Sequence, residues 1–182
     1  MKKPQKLVRD IFGFDEFRLG QREIIDAVSS KKNVLAIMPT GGGKSLCFQL
    51  PALMSEGLTV VISPLIALMR DQVRGLQAAG VAAGALTSGN TEDETDAVFS
   101  EIYAGKLKIL YVAPERLASS AMQSALFRFN VTSLVVDEAH CVSQWGHDFR
   151  PDYLRIGELR KSLGVPVACL LYTSDAADDP AS

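Results

Sequence analysis

Residues 33–54 read NVLAIMPTGGGKSLCFQLPALM and contain three consecutive glycines followed by a lysine and a serine. The apolar run NVLAIM at 33–38 predicts a strand, and SLCFQLPALM at 45–54 predicts a helix. A glycine-rich loop between a strand and a helix is the context that a phosphate-binding loop, or P-loop, requires. An ordinary glycine-rich turn is the alternative.

The residue types of this loop suit phosphate binding. The glycines at 41–43 permit backbone geometry that a Cβ would exclude, so that successive N–H groups can converge on phosphate oxygens at the positive end of a helix. Lys44 would then contact the β- and γ-phosphates of a nucleotide, and Ser45 would bind Mg²⁺. The strict pattern G-x-x-x-x-G-K-[ST] has glycine where this chain has Met38, so the match is imperfect.

Further apolar runs bounded by turn residues predict more strands. They are LTVVIS at 58–63, VAAGAL at 81–86 as a weaker candidate, KILYVA at 108–113 and SLVVDE at 133–138. Most are nearly continuous in Val, Ile and Leu, which indicates burial on both faces, as in a parallel sheet covered by helices. Strands that alternate with helices predict an α/β fold with right-handed crossovers.

Two helix starts have sequence signals. Ser63 and Pro64 predict a hydroxyl cap followed by a proline in the first turn, and that helix should close at Gly80. TEDE at 91–94 is the pattern of a capping box, and Gly105 should end the helix that follows it.

A second chemical element follows the last predicted strand. LVVDEAH ends an apolar run with Asp137 and Glu138 at the carboxyl edge of a strand, where ligands bind in open α/β sheets. One carboxylate could hold Mg²⁺ or its waters, and the other could orient and deprotonate the attacking water. The alternative is a pair of solvated carboxylates at a strand end, which the P-loop upstream makes less favoured.

Composition limits the class of protein. The chain has 182 residues, 47% of them hydrophobic and 22% charged, which fits one globular domain. A net charge of −2 excludes a uniformly basic nucleic-acid coat, so a contact with a polyanion must come from local patches. Three widely spaced cysteines suit neither a disulfide framework nor a metal site, and no apolar run approaches the ~18 residues of a membrane span. We expect a cytoplasmic protein, associated with the nucleoid if bacterial.

With PTGGGKS and DEAH both present, the chain resembles the first RecA-like lobe of the RecQ family of superfamily 2 helicases over about residues 6–168. FGFDEFRLGQ at 12–21 is similar to that family's adenine-recognition motif, and SPLIALMRDQ and YVAPERL are similar to its motifs Ia and Ib. DEAHCVSQWGHDFRPDY is similar to its DEAH box and aromatic-rich loop. RecQ proteins also carry MPTGGGKS, which accounts for Met38. The resemblance implies a P-loop NTPase fold, a DNA partner with single-stranded or junction DNA as substrate, and 3′–5′ polarity.

The resemblance also assigns site residues. The nucleotide-binding set comprises Phe14, Arg18, Gln21, Thr40, Gly41, Gly42, Gly43, Lys44 and Ser45. Phe14 would stack on adenine, and Arg18 and Gln21 would contact its ring or edge. Taken alone, Gln21 would be read as an ordinary polar residue at the start of the helix QREIIDAV. Catalysis would rest on Lys44, Asp137 and Glu138, with Mg²⁺ at Ser45 and Asp137.

Residues that couple DNA to ATP hydrolysis are implied as well: His140, Gln144, Trp145, Phe149 and Arg150. Aromatic faces stack on any base, although a sole tryptophan such as Trp145 could also be a buried anchor. Ser63, Arg70 and Arg116 would contact the DNA backbone, unless the charged residues are simply solvated.

The resemblance ends after VPVA at 165–168. A Thr-Ala-Thr-Ala segment belongs there in the family, whereas this chain reads CLLYTSDAADDPAS, which looks like translated adapter DNA. A natural divergent tail is the alternative. We therefore predict a helicase ATP-binding domain over 1–168, incomplete at its end, and a non-native tail over 169–182 that we leave out of the fold. A RecQ protein would add a second lobe with an arginine finger, worth ~10³–10⁵ in kcat, and a zinc-binding region. The chain alone should bind ATP but hydrolyse it poorly, and the rival hypotheses are another P-loop NTPase and a non-catalytic nucleotide-binding module.

Overall fold

A six-stranded sheet in which all neighbouring strands are parallel forms the centre of the protein. The computed structural model describes residues 4–13, 15–39, 43–137 and 146–173. The strands are β1 (Val34–Pro39), β2 (Leu58–Ile62), β3 (Ala83–Leu86), β4 (Ile109–Val112), β5 (Val131–Val136) and β6 (Val167–Thr173). The α/β fold with a parallel sheet is therefore confirmed, and all five strands predicted from apolar runs are present.

The strands lie side by side in the order β1-β6-β5-β2-β4-β3. The P-loop strand β1 is thus the outermost strand on one side of the sheet. Strand β6 separates it from β5, the strand that precedes Asp137. Because every pairing is parallel, the carboxyl ends of all six strands meet at one edge of the sheet, where α/β proteins bind ligands.

Helices cover both faces of this sheet. They are α1 (Pro4–Leu7), which continues as a π-helical turn (Val8–Phe12), α2 (Gln21–Ser29), α3 (Leu46–Met54), α4 (Ile66–Ala78), α5 (Glu92–Tyr103), α6 (Ser120–Arg128) and α7 (Gly146–Leu163), with a 3₁₀ turn at Pro114–Ala118. One buried cluster joins the sheet to α2, α3 and α4, and another joins it to α5, α6 and α7. Within the described residues, no helix combines the length and apolar character needed to cross a membrane.

Burial on both faces holds for the central strands but not for β1. Every residue of β2 and β4 is buried. On β1, Ala36 and Met38 are buried, whereas Leu35 is 67% exposed and Ile37 is 64% exposed. The prediction of two buried faces is wrong for this strand. Because β1 is the outermost strand, helices α5, α6 and α7 pack on the other strands of the sheet and leave one face of β1 uncovered.

The two helix starts have different outcomes. The capping box is confirmed: Thr91 Oγ accepts from the amide of Glu94, and the Glu94 carboxylate accepts from the amide of Thr91, each at 3.1 Å. The predicted cap at Ser63 is wrong, because α4 begins at Ile66 after Leu65 in an extended conformation. Ser63 is buried at the sheet edge, and its hydroxyl accepts only a long hydrogen bond of 3.4 Å from the amide of Leu65.

Part of the segment that the sequence prediction left out of the fold belongs to the sheet. Strand β6 continues through Thr173, and residues 169–173 pair with β1 from Leu35 to Pro39. Leu170 is completely buried between the layers. The prediction that residues 169–173 lie outside the fold is therefore wrong, because CLLYT supplies apolar residues of strand type. The domain boundary and the non-native origin of the tail stay predictions.

Candidate nucleotide and nucleic-acid site

The carboxyl edge of the sheet brings together residues that are far apart in the sequence. The amide of Asp137 donates to the carbonyl of Ile62 at 2.9 Å, which continues the pairing of β5 with β2. The amide of Ser63 donates to the carbonyl of Val112 at 3.2 Å, which continues the pairing of β2 with β4. Asp137 and Ser63 therefore lie where the sequence predicted a ligand-binding edge.

The described part of the P-loop leads directly into a helix. Gly43 has a φ of 69°, a left-handed conformation that favours glycine. Lys44 and Ser45 follow, and α3 starts at Leu46, whose amide donates to the carbonyl of Gly43 at 3.3 Å. The positive end of α3 thus faces this loop, as an anion site requires. Thr40, Gly41 and Gly42 lie outside the described residues.

Gln21 at the start of α2 contacts this loop. Its Nε2 donates to the carbonyl oxygen of Gly43 at 3.0 Å, and its Oε1 accepts from the amide of Arg18 at 2.6 Å. The side chain is buried, with 3% exposure. The adenine contact of Gln21 stays a prediction, while support of the P-loop backbone is a role that sequence reasoning missed. Arg18 is exposed beside it, and Phe14 lies outside the described residues.

Ser45 has a partner from a different element. Although Ser45 occupies the N-cap position of α3, its side chain makes no capping hydrogen bond. Instead, Nε2 of Gln72 on α4 donates to Ser45 Oγ at 3.0 Å. Sequence reasoning also missed Gln72, although it belongs to SPLIALMRDQ.

Asp137 lies in a buried polar environment. Its side chain has 1% exposure. Nearby, Nε2 of Gln49 on α3 donates to the hydroxyl of Tyr111 on β4 at 2.9 Å, so a polar bridge crosses the core between the P-loop helix and the sheet. Burial raises the pKa of Tyr111 well above its ordinary value, the hydrogen bond from Gln49 lowers it, and the charge of Asp137 raises it further.

The oxygen donors present fit Mg²⁺, which prefers hydroxyl and carboxylate oxygens. Ser45 supplies a hydroxyl at the start of α3, and Asp137 supplies a carboxyl group at the end of β5. Glu138, the predicted partner of Asp137, lies outside the described residues, as do His140, Gln144 and Trp145. Phe149 and Arg150 fall within α7, of which only the backbone is described there.

Two arginines converge on the turn after β3. Nη2 of Arg116 donates to the carbonyl of Thr87 at 2.8 Å. Nη2 of Arg70 lies close to Gly89: a Cβ placed on Gly89 would be 2.9 Å from this nitrogen. This Nη2 is buried, and no hydrogen-bond acceptor for it is found among the described residues. Neither arginine is simply a solvated residue on a helix surface.

Comparison with known proteins agrees with this architecture. The family model "DEAD/DEAH box helicase" matches residues 18–174. Proteins called ATP-dependent DNA helicase RecQ are similar to the chain: that of Haemophilus influenzae is 44% identical over 97% of this chain, and that of Pasteurella multocida is 48% identical over 92%. The chain spans only 29% and 27% of the length of these relatives.

Among solved structures, the fold is similar to that of the DUF1998 helicase MrfA bound to DNA and AMPPNP. The TM-score is 0.74 at 20% identity, over 98% of this chain and 27% of that one. At this identity the likeness concerns the fold alone. The predicted RecA-like sheet with helices on both faces is confirmed.

Proposed function

Because the chain belongs to the DEAD/DEAH box helicase family, we propose that it is the ATP-binding motor lobe of an ATP-dependent DNA helicase. The observation that carries this proposal is the meeting of two elements at one sheet edge. The loop at residues 43–45 leads into the positive end of α3, and Asp137 directly follows β5 of the same parallel sheet. The similarity to proteins called ATP-dependent DNA helicase RecQ supports DNA as the partner. The location that we propose is cytoplasmic.

The phosphates of ATP would bind at the start of α3. Backbone N–H groups of the loop would bind the phosphate oxygens at the positive end of this helix, and Lys44 would neutralise charge on the terminal phosphates. Ser45 and Asp137 would hold Mg²⁺, which when bound stabilises charge on the β- and γ-phosphate oxygens. Glu138 would orient the attacking water and take its proton.

The adenine would bind on the side of α2. Phe14 would stack on the base, with Arg18 and Gln21 at its ring or edge. The Gln21 amide already donates a hydrogen bond to the carbonyl of Gly43. An adenine that contacts Gln21 would therefore act on the backbone of the phosphate loop through this hydrogen bond.

DNA would bind along the same carboxyl edge. Arg70 and Arg116 meet at the turn of residues 87–90, and both are only partly buried. N–H groups of these guanidinium groups other than the nitrogens held at the turn would contact a phosphate of the DNA strand. Ser63, Trp145, Phe149 and Arg150 complete the proposed contacts, with single-stranded or junction DNA as the substrate and 3′–5′ movement.

Nucleotide binding and turnover can be separated by two substitutions. Lys44→Ala should weaken the binding of a fluorescent ATP analogue by about 10- to 100-fold, as expected for the loss of a charged hydrogen bond. Glu138→Gln should leave that binding intact and abolish hydrolysis. Lys106→Ala is the matched control, because Lys106 is exposed in the turn after α5.

Hydrolysis should be measured with and without single-stranded DNA, in this chain and in the longest natural reading frame that contains it. DNA should stimulate hydrolysis in the longer protein. Turnover that ignores DNA would indicate another kind of P-loop NTPase, and unchanged hydrolysis in Glu138→Gln would indicate a non-catalytic module. A chain that shows no Mg²⁺-dependent uptake of ATP or ADP would refute the proposal altogether.

A further inference from the structure

The contact between Gln72 and Ser45 joins α4 to the phosphate loop. The two residues are 27 positions apart, and the distance from Gln72 Nε2 to Ser45 Oγ is 3.0 Å. Because the Ser45 hydroxyl does not cap α3, Gln72 is a specific partner of this hydroxyl and not an addition to a helix cap.

The other half of the Gln72 amide is unsatisfied. Its Oε1 is buried, and no donor lies within hydrogen-bond distance of it in the part of the chain that the structure describes. A buried carbonyl oxygen without a donor is unfavourable, and this orientation of the amide therefore satisfies only one of its two ends.

Metal binding needs the opposite hydrogen-bond direction at Ser45. A hydroxyl that ligates a cation directs a lone pair at the ion and its O–H toward an acceptor. In the orientation described here, Gln72 donates to Ser45 Oγ and occupies a lone pair of that oxygen. Rotation of the amide by about 180° around its last side-chain bond would bring Oε1 to the hydroxyl, and this torsion is soft.

We propose that Gln72 is a positioning residue for Ser45, and that its side-chain amide changes from donor to acceptor when Mg²⁺ and nucleotide bind. In the bound state Oε1 accepts the Ser45 O–H, which leaves the hydroxyl lone pair facing the ion. This inference rests on the proposed function. It gives α4 a direct connection to the ion site.

The test compares Mg²⁺ dependence in variants of the full chain. Gln72→Met keeps the length of the side chain and removes the hydrogen bond, whereas Gln72→Glu keeps an acceptor. The matched control is Gln77→Met on the same helix, because Nε2 of Gln77 donates to the carbonyl of Ala83 at 2.9 Å and so makes a similar bond to β3 instead of the phosphate loop.

Binding of a fluorescent ATP analogue is titrated with Mg²⁺ and measured separately in EDTA. For Gln72→Met we expect the Mg²⁺ concentration at half-maximal binding to rise about 5- to 10-fold, as for one lost hydrogen bond. Gln72→Glu should stay within about 2-fold of the parent chain because its carboxylate still accepts the hydroxyl proton. Gln77→Met should not change the midpoint, and binding in EDTA should be equal in the parent chain, Gln72→Met and Gln77→Met.

A double-mutant cycle with Ser45→Ala distinguishes positioning from a general structural effect. In the Ser45→Ala background, Gln72→Met should add no further shift. An equal shift in that background, a loss of binding in EDTA, or an unchanged midpoint in Gln72→Met overturns the proposal.

A spectroscopic readout reports the amide itself. In ¹⁵N-labelled chain, the side-chain NH₂ pair that disappears in Gln72→Met should move when Mg²⁺ and nucleotide are added together, but not with nucleotide in EDTA. A pair that stays fixed overturns the change of direction. If the parent chain takes up no nucleotide with Mg²⁺, the proposed function has failed and this inference fails with it, whereas normal uptake with an unshifted Gln72→Met midpoint refutes this inference alone.

Discussion

The side-chain amide of Gln21 donates a hydrogen bond to the carbonyl oxygen of Gly43 and so ties the start of α2 to the last glycine of the phosphate loop. A Cβ at Gly43 would lie 2.6 Å from Nε2 of Gln21, closer than Cβ atoms approach other atoms, so the end of the Gln21 side chain would have to move. The backbone of Gly43 is also left-handed, with a φ of 69°. The backbone conformation therefore selects glycine here, and a larger residue would also displace the Gln21 amide.

Gly43→Ala should lower the free energy of unfolding by about 1–2 kcal/mol and weaken ATP binding, because the Gln21 contact must break. Urea unfolding and titration with a fluorescent ATP analogue check the two effects. Gly75→Ala on α4 is the control, since a Cβ there would meet no atom within 4 Å and should stabilise the helix by about 0.5–1 kcal/mol. Normal ATP binding in Gly43→Ala would contradict the role of this contact.

The buried bridge between Gln49 and Tyr111 predicts a strong dependence on one hydroxyl. Tyr111→Phe should destabilise the fold by about 1–3 kcal/mol, because Nε2 of Gln49 loses its acceptor in the core. Adding Gln49→Leu should recover part of this loss by removing the orphaned donor. The free energy of unfolding in urea provides the measurement.

Tyr103→Phe is the control for the bridge. Tyr103 is 55% exposed, and it contacts Phe129 with its ring. Its variant should remain within about 0.5 kcal/mol of the parent chain. If both Tyr→Phe variants cost the same, the bridge contributes nothing specific.

Buried Cys47 predicts a loss of stability at alkaline pH. Burial raises the pKa of its thiol from 9.0 to about 11, so the thiol ionises in the unfolded chain before it does in the folded one. The folded state is favoured as long as the thiol is neutral in both states, so this contribution to the free energy of unfolding is complete below pH 9. It disappears as the pH rises toward 11. Unfolding at a series of pH values should show this decline, with a shallower slope in Cys47→Ala. An identical slope in that variant would assign the decline to other groups such as Tyr111, whose pKa is also raised.

Arg70 and Arg116 at the turn of residues 87–90 predict the salt dependence of DNA binding. Arg70→Gln should weaken binding of single-stranded DNA and reduce the slope of log K against log salt by about 1, as for one lost phosphate contact. Arg74→Gln on the same helix is the control, because Arg74 lies in an exposed pair with Asp71 at 3.7 Å. Equal effects of the two substitutions would mean that only net charge matters. Fluorescence anisotropy at several salt concentrations provides the measurement.

The exposed residues of β1 predict a tendency to associate. Leu35 and Ile37 present apolar side chains on an edge strand, which is a known risk for aggregation. The double variant Leu35→Thr, Ile37→Thr should scatter less light on concentration while its unfolding free energy changes by under about 1 kcal/mol, because both side chains are largely exposed. Leu65→Thr, an exposed position outside the sheet, should not reduce scattering. Unchanged scattering in the double variant would show that β1 is not the associating surface.

Local sequence signals were sufficient for the strands and for the capping box at Thr91. Apolar runs bounded by turn residues identify buried strands, and a capping box lies within four residues of sequence. The contacts of Gln21 and Gln72 could not be predicted in this way. They join residues 22 and 27 positions apart, and only the packing of α2 and α4 around the phosphate loop brings them together. The cap at Ser63 failed for a related reason, since burial at the sheet edge overrides the local preference for a helix start.

Strand β6 lies between β1 and β5, although it is formed by the last described residues of the chain. On a ribosome, Lys44 and Asp137 are both made before the strand that sets the distance between them. Elongation from Asp137 to Thr173 takes roughly 2 to 7 seconds at ~5–20 residues per second. During that interval a nascent chain holds both halves of the ATP site without the spacer that aligns them, so it should first retain nucleotide only after residues 167–173 have emerged.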